Sequence, residues 1–332
     1  MYISAVNILD EEAFVRAVVE ADLILTAVGT NLLTAVAPHL AKGLTERLKR
    51  RPKDQLHTVV IACENITDNT TLLRGHIFDN LPEDLHPTVD GIVSFPNCVV
   101  DRIVPTSTSD LVSANPLAVI VEDYYQWAID GTALKGSMPQ IPGIVVSQDL
   151  NAILEQKLFT LNMPHALVAY FGYKAGYRFI HEAVEVPLVQ SLVMGALEEV
   201  EPVIVSRNPS ITPEAQRVYA AKILGRFRNP YLQDETTRVG RDPIRKLGPK
   251  DRLIKPAILA WELGEVPAHL TAGIIGALRY DNPDDTQAQQ LRVSLSEKGV
   301  LGVMQEVSGL TPDSPVVRLI KAGFEFDSLG IR

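Results

Sequence analysis

Short apolar runs that alternate with helical patterns constrain this chain more than any other feature of it. Residues 22–29 read DLILTAVG, 58–63 read TVVIAC and 91–95 read GIVSF. They are continuous and rich in β-branched side chains, the pattern of strands buried on both faces. Helical segments lie between them. Asp10, Glu11 and Glu12 open one with acidic residues in its first turn, and Phe14, Val15, Val18 and Val19 give it an apolar face. A second runs over 31–51 and ends in Lys49, Arg50 and Arg51, where the helix dipole favours cations. A third covers 70–80, and LAVIVE at 117–122 reads as a further strand. Strands separated by helices predict an α/β domain with a Rossmann-type parallel sheet over residues 1–147.

From residue 148 the pattern changes. Helical periodicity dominates 150–183, 187–200, 213–226, 249–264, 269–279 and 284–298. Pro139, Pro142 and Gly143 mark the boundary. Residues 148–332 are therefore expected to form a mainly α-helical C-terminal domain. A length of 332 residues, 46% of them hydrophobic, suffices for two cores.

Charge and composition exclude several classes. A net charge of −9 argues against a nucleic-acid partner. No apolar run reaches the ~18 residues of a membrane span, so no membrane partner is expected. MYISAVNILDEE lacks the basic and apolar regions of a signal peptide. Cys63 and Cys98 show no CxxC pattern and read as reduced thiols of a cytoplasmic protein. The glycosylation triplets starting at Asn65 and Asn69 are discounted for the same reason.

Residues 226–255 depart from the acidic balance. Nine basic side chains (Arg226, Arg228, Arg238, Arg241, Arg245, Lys246, Lys250, Arg252, Lys255) face four acidic ones (Asp234, Glu235, Asp242, Asp251). Pro230, Gly240, Pro243 and Pro249 interrupt the run. A solvated loop and a site for a small anion both fit this pattern.

The segment KLFTLNMPHA places Lys157, Asn162 and His165 at i, i+5 and i+8. On an α-helix i+8 returns to nearly the face of i, but i+5 does not, so a bend near Pro164 is expected to bring Asn162 in. Desolvation makes a lysine available as a base. A structural trio on a half-buried helix fits the same spacing.

The K-x4-N-x2-H pattern, with IACEN at 61–65 and FPNCVVDRIVP at 95–105, resembles the polyol-specific long-chain dehydrogenases, the mannitol dehydrogenase family. KGSMPQIPG (135–143), ILGRFRNPYL (223–232) and RVGRDPIRKL (238–247) are similar to its mannitol-1-phosphate 5-dehydrogenase branch. The resemblance runs from about residue 5 to about residue 320. It implies hydride transfer to NAD without a metal, interconverting mannitol 1-phosphate and fructose 6-phosphate, with the helical domain binding substrate. By the same resemblance Lys157 is the general base. Asn162 and Asn65 donate hydrogen bonds to the developing alkoxide, where preorganised donors act most strongly. His165 orients the substrate or the lysine, and all four are expected in one cleft. Asp101 is placed for the polyol hydroxyls, although an ion pair with Arg102 explains it as well. Arg238 and Lys246 keep the family's R-x7-K frame. Members acting on unphosphorylated polyols tend to have small or neutral residues where Arg241 and Arg245 stand, so these two point to a sugar or polyol phosphate.

The cofactor side is thinner. Ala27, Val28 and Gly29, with Asn65, resemble the strand end and turn that pass near the dinucleotide. A simple strand-to-helix turn also explains Gly29. No GxGxxG occurs in the sequence. The family's glycine-rich stretch is expected upstream of Met1, which predicts an N-terminally incomplete sheet and weak NAD binding. Two other readings stay open: a uronate reductase of the same family (tagaturonate or fructuronate type), and a non-catalytic sugar-phosphate-binding remnant.

Overall fold

The computed structural model describes residues 3–104, 115 and 117–328. Pro105, the last residue of FPNCVVDRIVP, lies outside them. The chain forms two compact units, one of residues 1–102 with 123–153, the other of 103–122 with 154–332. The division at 153/154 falls within a helix.

In the first unit, β1 (Leu23–Thr26), β2 (Thr58–Ala62) and β3 (Val93–Ser94) make a parallel sheet in that order, with Thr26 opposite Ala62. Helices α1 (Glu11–Glu20), α2 (Leu33–Arg50), α3 (Asn69–Phe78) and α4 (His86–Ile92) connect or flank these strands. Asp10 caps α1 by accepting from the Ala13 amide at 3.2 Å. All five residues of β2 are buried. Val60 and Ala62 pack with Val18, Leu40, Leu44, Leu73 and Ile77 of the helices. Val59 and Ile61 pack on the other face with Cys98 and Ile129. That two-sided burial is why β2 reads as an unbroken apolar run rather than an alternating one.

One residue that the pattern did not single out ties these elements together. Arg47 of α2 is fully buried. Its guanidinium donates to the carbonyls of Val19 and Ala21 at 2.6 and 2.8 Å, and of Leu56 and His57, both at 2.8 Å. It therefore joins the end of α1 to the starts of β1 and β2. Each charged N–H has an acceptor, which a buried cation requires.

A second sheet contains β4 (Cys98–Asp101), β5 (Gln126–Asp130) and β6 (Ile144–Ser147). Strand β4 runs antiparallel to β5, and β5 parallel to β6. The parallel expectation therefore holds for the first sheet and is corrected for this pair. The expected strand at 117–122 is not one: the segment pairs with no strand and groups with the helical unit. Leu117 and Val119 are exposed. The segment is anchored through its acidic end instead. Glu122 accepts from the Ile103 amide and from both Nε and Nη2 of Arg226.

The remaining chain is helical: α5 (Leu150–Lys157), α6 (Met163–Lys174), α7 (Ile180–Ala183), α8 (Pro187–Arg207), α9 (Pro213–Phe227), α10 (Thr236–Gly240), α11 (Pro243–Lys246), α12 (Ile254–Glu262), α13 (Ala268–Leu278), α14 (Thr286–Ser308) and α15 (Pro315–Ser328). Helix α6 is the axis of this unit. Met163, Ala166, Leu167, Val168, Ala169 and Tyr170 are all buried, so it is apolar around most of its circumference. The expected single helix over 150–183 is broken. It ends at Lys174, before Gly176 at φ +83°, a conformation that suits glycine. The segment expected to end at 298 continues to Ser308 through Gly299, whose φ of +64° kinks it.

Candidate active site

Between α5 and α6 the helix widens into a π turn, Leu158–Asn162. The Met163 amide donates to the carbonyl of Leu158, five residues back. Pro164 is the physical reason. It has no N–H for the Thr160 carbonyl, and its ring crowds the carbonyl four residues earlier, so a regular α turn fails here. The expected bend near Pro164 is thus a local widening. In such a turn a residue and its i+5 neighbour come nearer one face than they do on an α-helix, whose 3.6-residue turn leaves them well apart. Lys157 and Asn162 bracket the widened stretch. Lys157 is buried and Asn162 half-buried. Gln216 of α9 braces the turn: its Nε2 donates to Thr160 Oγ1 at 2.7 Å, and its Oε1 accepts from Gln156 at 3.0 Å.

His165, one turn further on, lies in a dry setting. Its ring stacks on Phe227 at 4.6 Å. Its Nε2 is 3.1 Å from Oδ2 of Asp234, close but not aligned as a hydrogen bond. The other oxygen of Asp234 accepts from Arg238 Nε at 2.6 Å. Burial pushes the Asp234 carboxyl up, but His165 and Arg238 more than reverse this and hold it at about 2. Burial pulls His165 below the usual histidine range against the opposing pull of Asp234. Asp234 therefore joins the signature histidine to the arginine of the R-x7-K frame.

The other basic residues divide sharply. Lys246 is buried, and its Nζ donates to the carbonyls of Val239, at 2.6 Å, and Arg241, bracing the loop from within. Burial, followed by Arg252 and Arg245, pushes its ammonium well below the usual lysine range. Arg245 is half-exposed and meets Asp251 at 3.3 Å. Arg241 is 66% exposed, with its nearest carboxylate, Asp242, 3.9 Å away. Arg238 and Arg241 line one cavity of about 730 Å³ with Thr237, Asn282 and Gln290. Asp242, Asp284 and Asp285 line it too, and of these Asp285 is engaged by the amides of Asp242 and Ala288.

In the first unit, Ala27, Val28 and Gly29 are exposed just past the carboxyl end of β1, beside the loop that carries Asn65 past the end of β2. Ligands of open α/β sheets bind outside such strand ends. Gly29 has φ +91°, which favours glycine, and no atom lies within 4 Å of where a Cβ would stand. Sequence reasoning passed over Glu64. Its buried carboxylate accepts from Thr26 Oγ1 at 2.8 Å and from the Val28 amide at 3.0 Å, pinning the turn. Asn69 entered only as the start of a discounted glycosylation triplet. Its Nδ2 donates to the carbonyls of Glu64 and Cys98 at 3.1 and 2.9 Å, so this buried amide is structural. Asp101 is buried at the end of β4, opposite Gln126. Cys63 and Cys98 are not joined in a disulfide and share one core. A hydrogen bond with Cys98, then burial, push the Cys63 thiol up.

The chain matches known proteins along most of its length. Residues 1–143 match the mannitol dehydrogenase Rossmann domain and 149–322 the mannitol dehydrogenase C-terminal domain. The chain belongs to the mannitol dehydrogenase family. Two solved structures share the fold. One is the Pseudomonas fluorescens mannitol 2-dehydrogenase ternary complex with NAD and D-mannitol, at 19% identity over 95% of this chain and 74% of that one, TM-score 0.72. The other is a D-sorbitol dehydrogenase in substrate-free form, at 17% identity over 96% of this chain and 76% of that one, TM-score 0.76. The family is one of polyol oxidoreductases, and its parallel-sheet domain fits NAD binding.

Proposed function

We propose that this mannitol dehydrogenase family member interconverts mannitol 1-phosphate and fructose 6-phosphate with NAD. The observation that carries the phosphate reading is the cavity shared by Arg238 and Arg241. Arg241 is held only loosely by Asp242, and a phosphate monoester can take two parallel charge-assisted hydrogen bonds from such a guanidinium. Arg245, already paired with Asp251, is the weaker candidate.

NAD, when bound, supplies the hydride acceptor. Ala27, Val28, Gly29 and Asn65 are the residues to hold it, along the carboxyl ends of β1 and β2. The Val28 amide is committed to Glu64, so contact there comes from the exposed backbone around Gly29. In this reading Lys157 takes the hydroxyl proton of the substrate. Asn162 and Asn65 donate to the oxygen as negative charge grows on it. His165 orients the substrate, Asp101 accepts from polyol hydroxyls, and Arg238 and Lys246 frame the site, Lys246 by holding the loop.

Steady-state assays of the purified chain with NAD and mannitol 1-phosphate, free mannitol, or the aldonates corresponding to tagaturonate and fructuronate test this reading. Preference for the phosphate by at least about tenfold in kcat/KM is the expected result. Preference for an aldonate would assign the arginines to a carboxylate, and no turnover of any of them would sink the enzymatic reading. Lys157→Ala should lower kcat by ~10²–10⁴-fold, as removal of a general base does.

A further inference from the structure

We propose that Asp234 is a positioning residue that fixes the His165 imidazole as its Nε2–H tautomer and leaves Nδ1 a bare acceptor for a substrate hydroxyl. The proposal rests on the polyol reading for the identity of the hydroxyl, but not for the state of the ring.

The argument starts from two atoms. His165 Nε2 and Asp234 Oδ2 are both buried, lie 3.1 Å apart, and have no hydrogen-bond partner elsewhere to account for either. Two bare acceptors do not remain that close in a dry site, because nothing screens their repulsion. One of them carries a proton. The Asp234 carboxyl, held at about 2, is ionised at neutral pH and can only accept. The proton is therefore on Nε2. A second proton on the ring is disfavoured, since burial pulls His165 below the usual histidine range. Neutral, and protonated at Nε2, the imidazole has its lone pair at Nδ1.

The surroundings hold this state in place. Phe227 covers one face of the ring. Asp234 is itself fixed at two points: Oδ1 by Arg238 Nε at 2.6 Å and its carbonyl by the Ile180 amide at 2.8 Å. The charged and titratable groups facing His165 are Asp234 and Arg238 from the loop and α10, and Arg252 ahead of α12. His181 of α7 and Arg226 of α9 line the same small pocket, with Arg226 neutralised by Glu122. Asp234 is the only carboxylate in this set, and so the charged acceptor that favours a proton on the nitrogen facing it. The partner of a histidine's second nitrogen commonly sets the tautomer in this way.

Two measurements test the proposal. The first is long-range ¹⁵N–¹H correlation NMR of the ¹⁵N-histidine-labelled full chain at pH 7, with the His165→Gln spectrum identifying the signal. An Nε2–H pattern with an unprotonated Nδ1 is expected. An Nδ1–H pattern or an imidazolium would overturn the proposal, and this needs no variant of Asp234 to fold. The second compares Asp234→Asn and Asp234→Glu in the polyol assay across pH. Asn, which can donate as well as accept, should mix the tautomers and raise KM by about tenfold, the loss of about one hydrogen bond, with a smaller fall in kcat. Glu should restore both the ring signal and most of the KM. An Asn variant whose KM and pH profile match the wild type would also overturn the proposal. If the ring shows the expected tautomer but no polyol is turned over, the assigned activity fails and the positioning of His165 stands.

Discussion

Glu122 grips Arg226 with both oxygens: Nε donates to Oε2 at 2.8 Å and Nη2 to Oε1 at 2.6 Å, with both side chains almost wholly removed from water. The same carboxylate takes the Ile103 amide. The pair therefore ties Ile103 and Glu122 to α9. Removing one partner leaves a buried charge, so Glu122→Ala should destabilise the helical unit by about 3–5 kcal/mol. Replacing both by Leu and Met should come within about 1 kcal/mol of wild type. Urea unfolding followed by far-UV circular dichroism gives both values, and an unaffected Glu122→Ala variant would show that the pair carries no stability.

Acid should weaken the fold in two steps. The Asp234 carboxyl is held at about 2 when folded, below the ~3.9 of an unfolded aspartate. As pH falls the unfolded chain takes up this proton first. The contribution, about 2–3 kcal/mol, is complete above about pH 4 and disappears as pH falls through about 2. His165 is also lowered, by burial, so its contribution begins to fade below about pH 6.5. Unfolding free energies between pH 7 and pH 2 should show the lower step in wild type and lose it in Asp234→Asn. The same lower step in that variant would mean another carboxylate produces it.

Pro164→Ala should return an N–H to the helix and let the Thr160 carbonyl take a regular partner. The π turn would then tighten, turning Lys157 and Asn162 apart. Helix content should be unchanged and stability equal or higher, while kcat falls by about 100-fold, as misplacing a catalytic group by about 1 Å does. Circular dichroism and steady-state kinetics decide it. Full activity in Pro164→Ala would show that the widened turn has no part in aligning the two residues.

Arg241→Ser should affect phosphorylated substrate selectively. The side chain braces nothing closely, so thermal stability should stay within about 1 °C of wild type, as for surface changes worth under ~0.5 kcal/mol. The lost charge-assisted bonds should raise KM for mannitol 1-phosphate by about 10–100-fold and leave slow turnover of free mannitol little changed. Arg245→Ser, which also breaks the contact with Asp251, should lower stability as well. Equal losses on both substrates for Arg241→Ser would remove the phosphate assignment.

Much of this fold is written in local pattern. Strand β2 follows from an unbroken β-branched run, because burial on both faces leaves no place for polar alternation, whereas β1 carries the same kind of run with Leu25 exposed. The Asp10 cap and the end of α2 follow from short-range charge and hydrogen bonding. LAVIVE has the composition of a strand yet pairs with nothing, since an extended apolar run says nothing about whether an edge is available to it. Lys157, Asn162 and His165 are marked by the family resemblance rather than by their spacing, which a structural trio fits as well, and Pro164 is visible as a disturbance, but not as a π turn.

By itself the sequence determined the alternation of strands and helices, the change to a helical second half, and the residue types that its family resemblance marks for chemistry. These depend on neighbours within a few positions, where backbone geometry is periodic. Only the tertiary structure decided which polar groups meet. Asp234 reaches His165 across 69 positions, Glu122 reaches Arg226 across 104, and Glu64 reaches Val28 across 36. Nothing in local pattern encodes such pairs, because a buried charge needs only some partner in space and any distant segment that packs there can supply one. The same holds for Lys246 and Arg241. They look alike in the basic run, yet one is turned inward onto backbone carbonyls and the other outward into a cavity. Packing makes that difference, by deciding which cation loses its water.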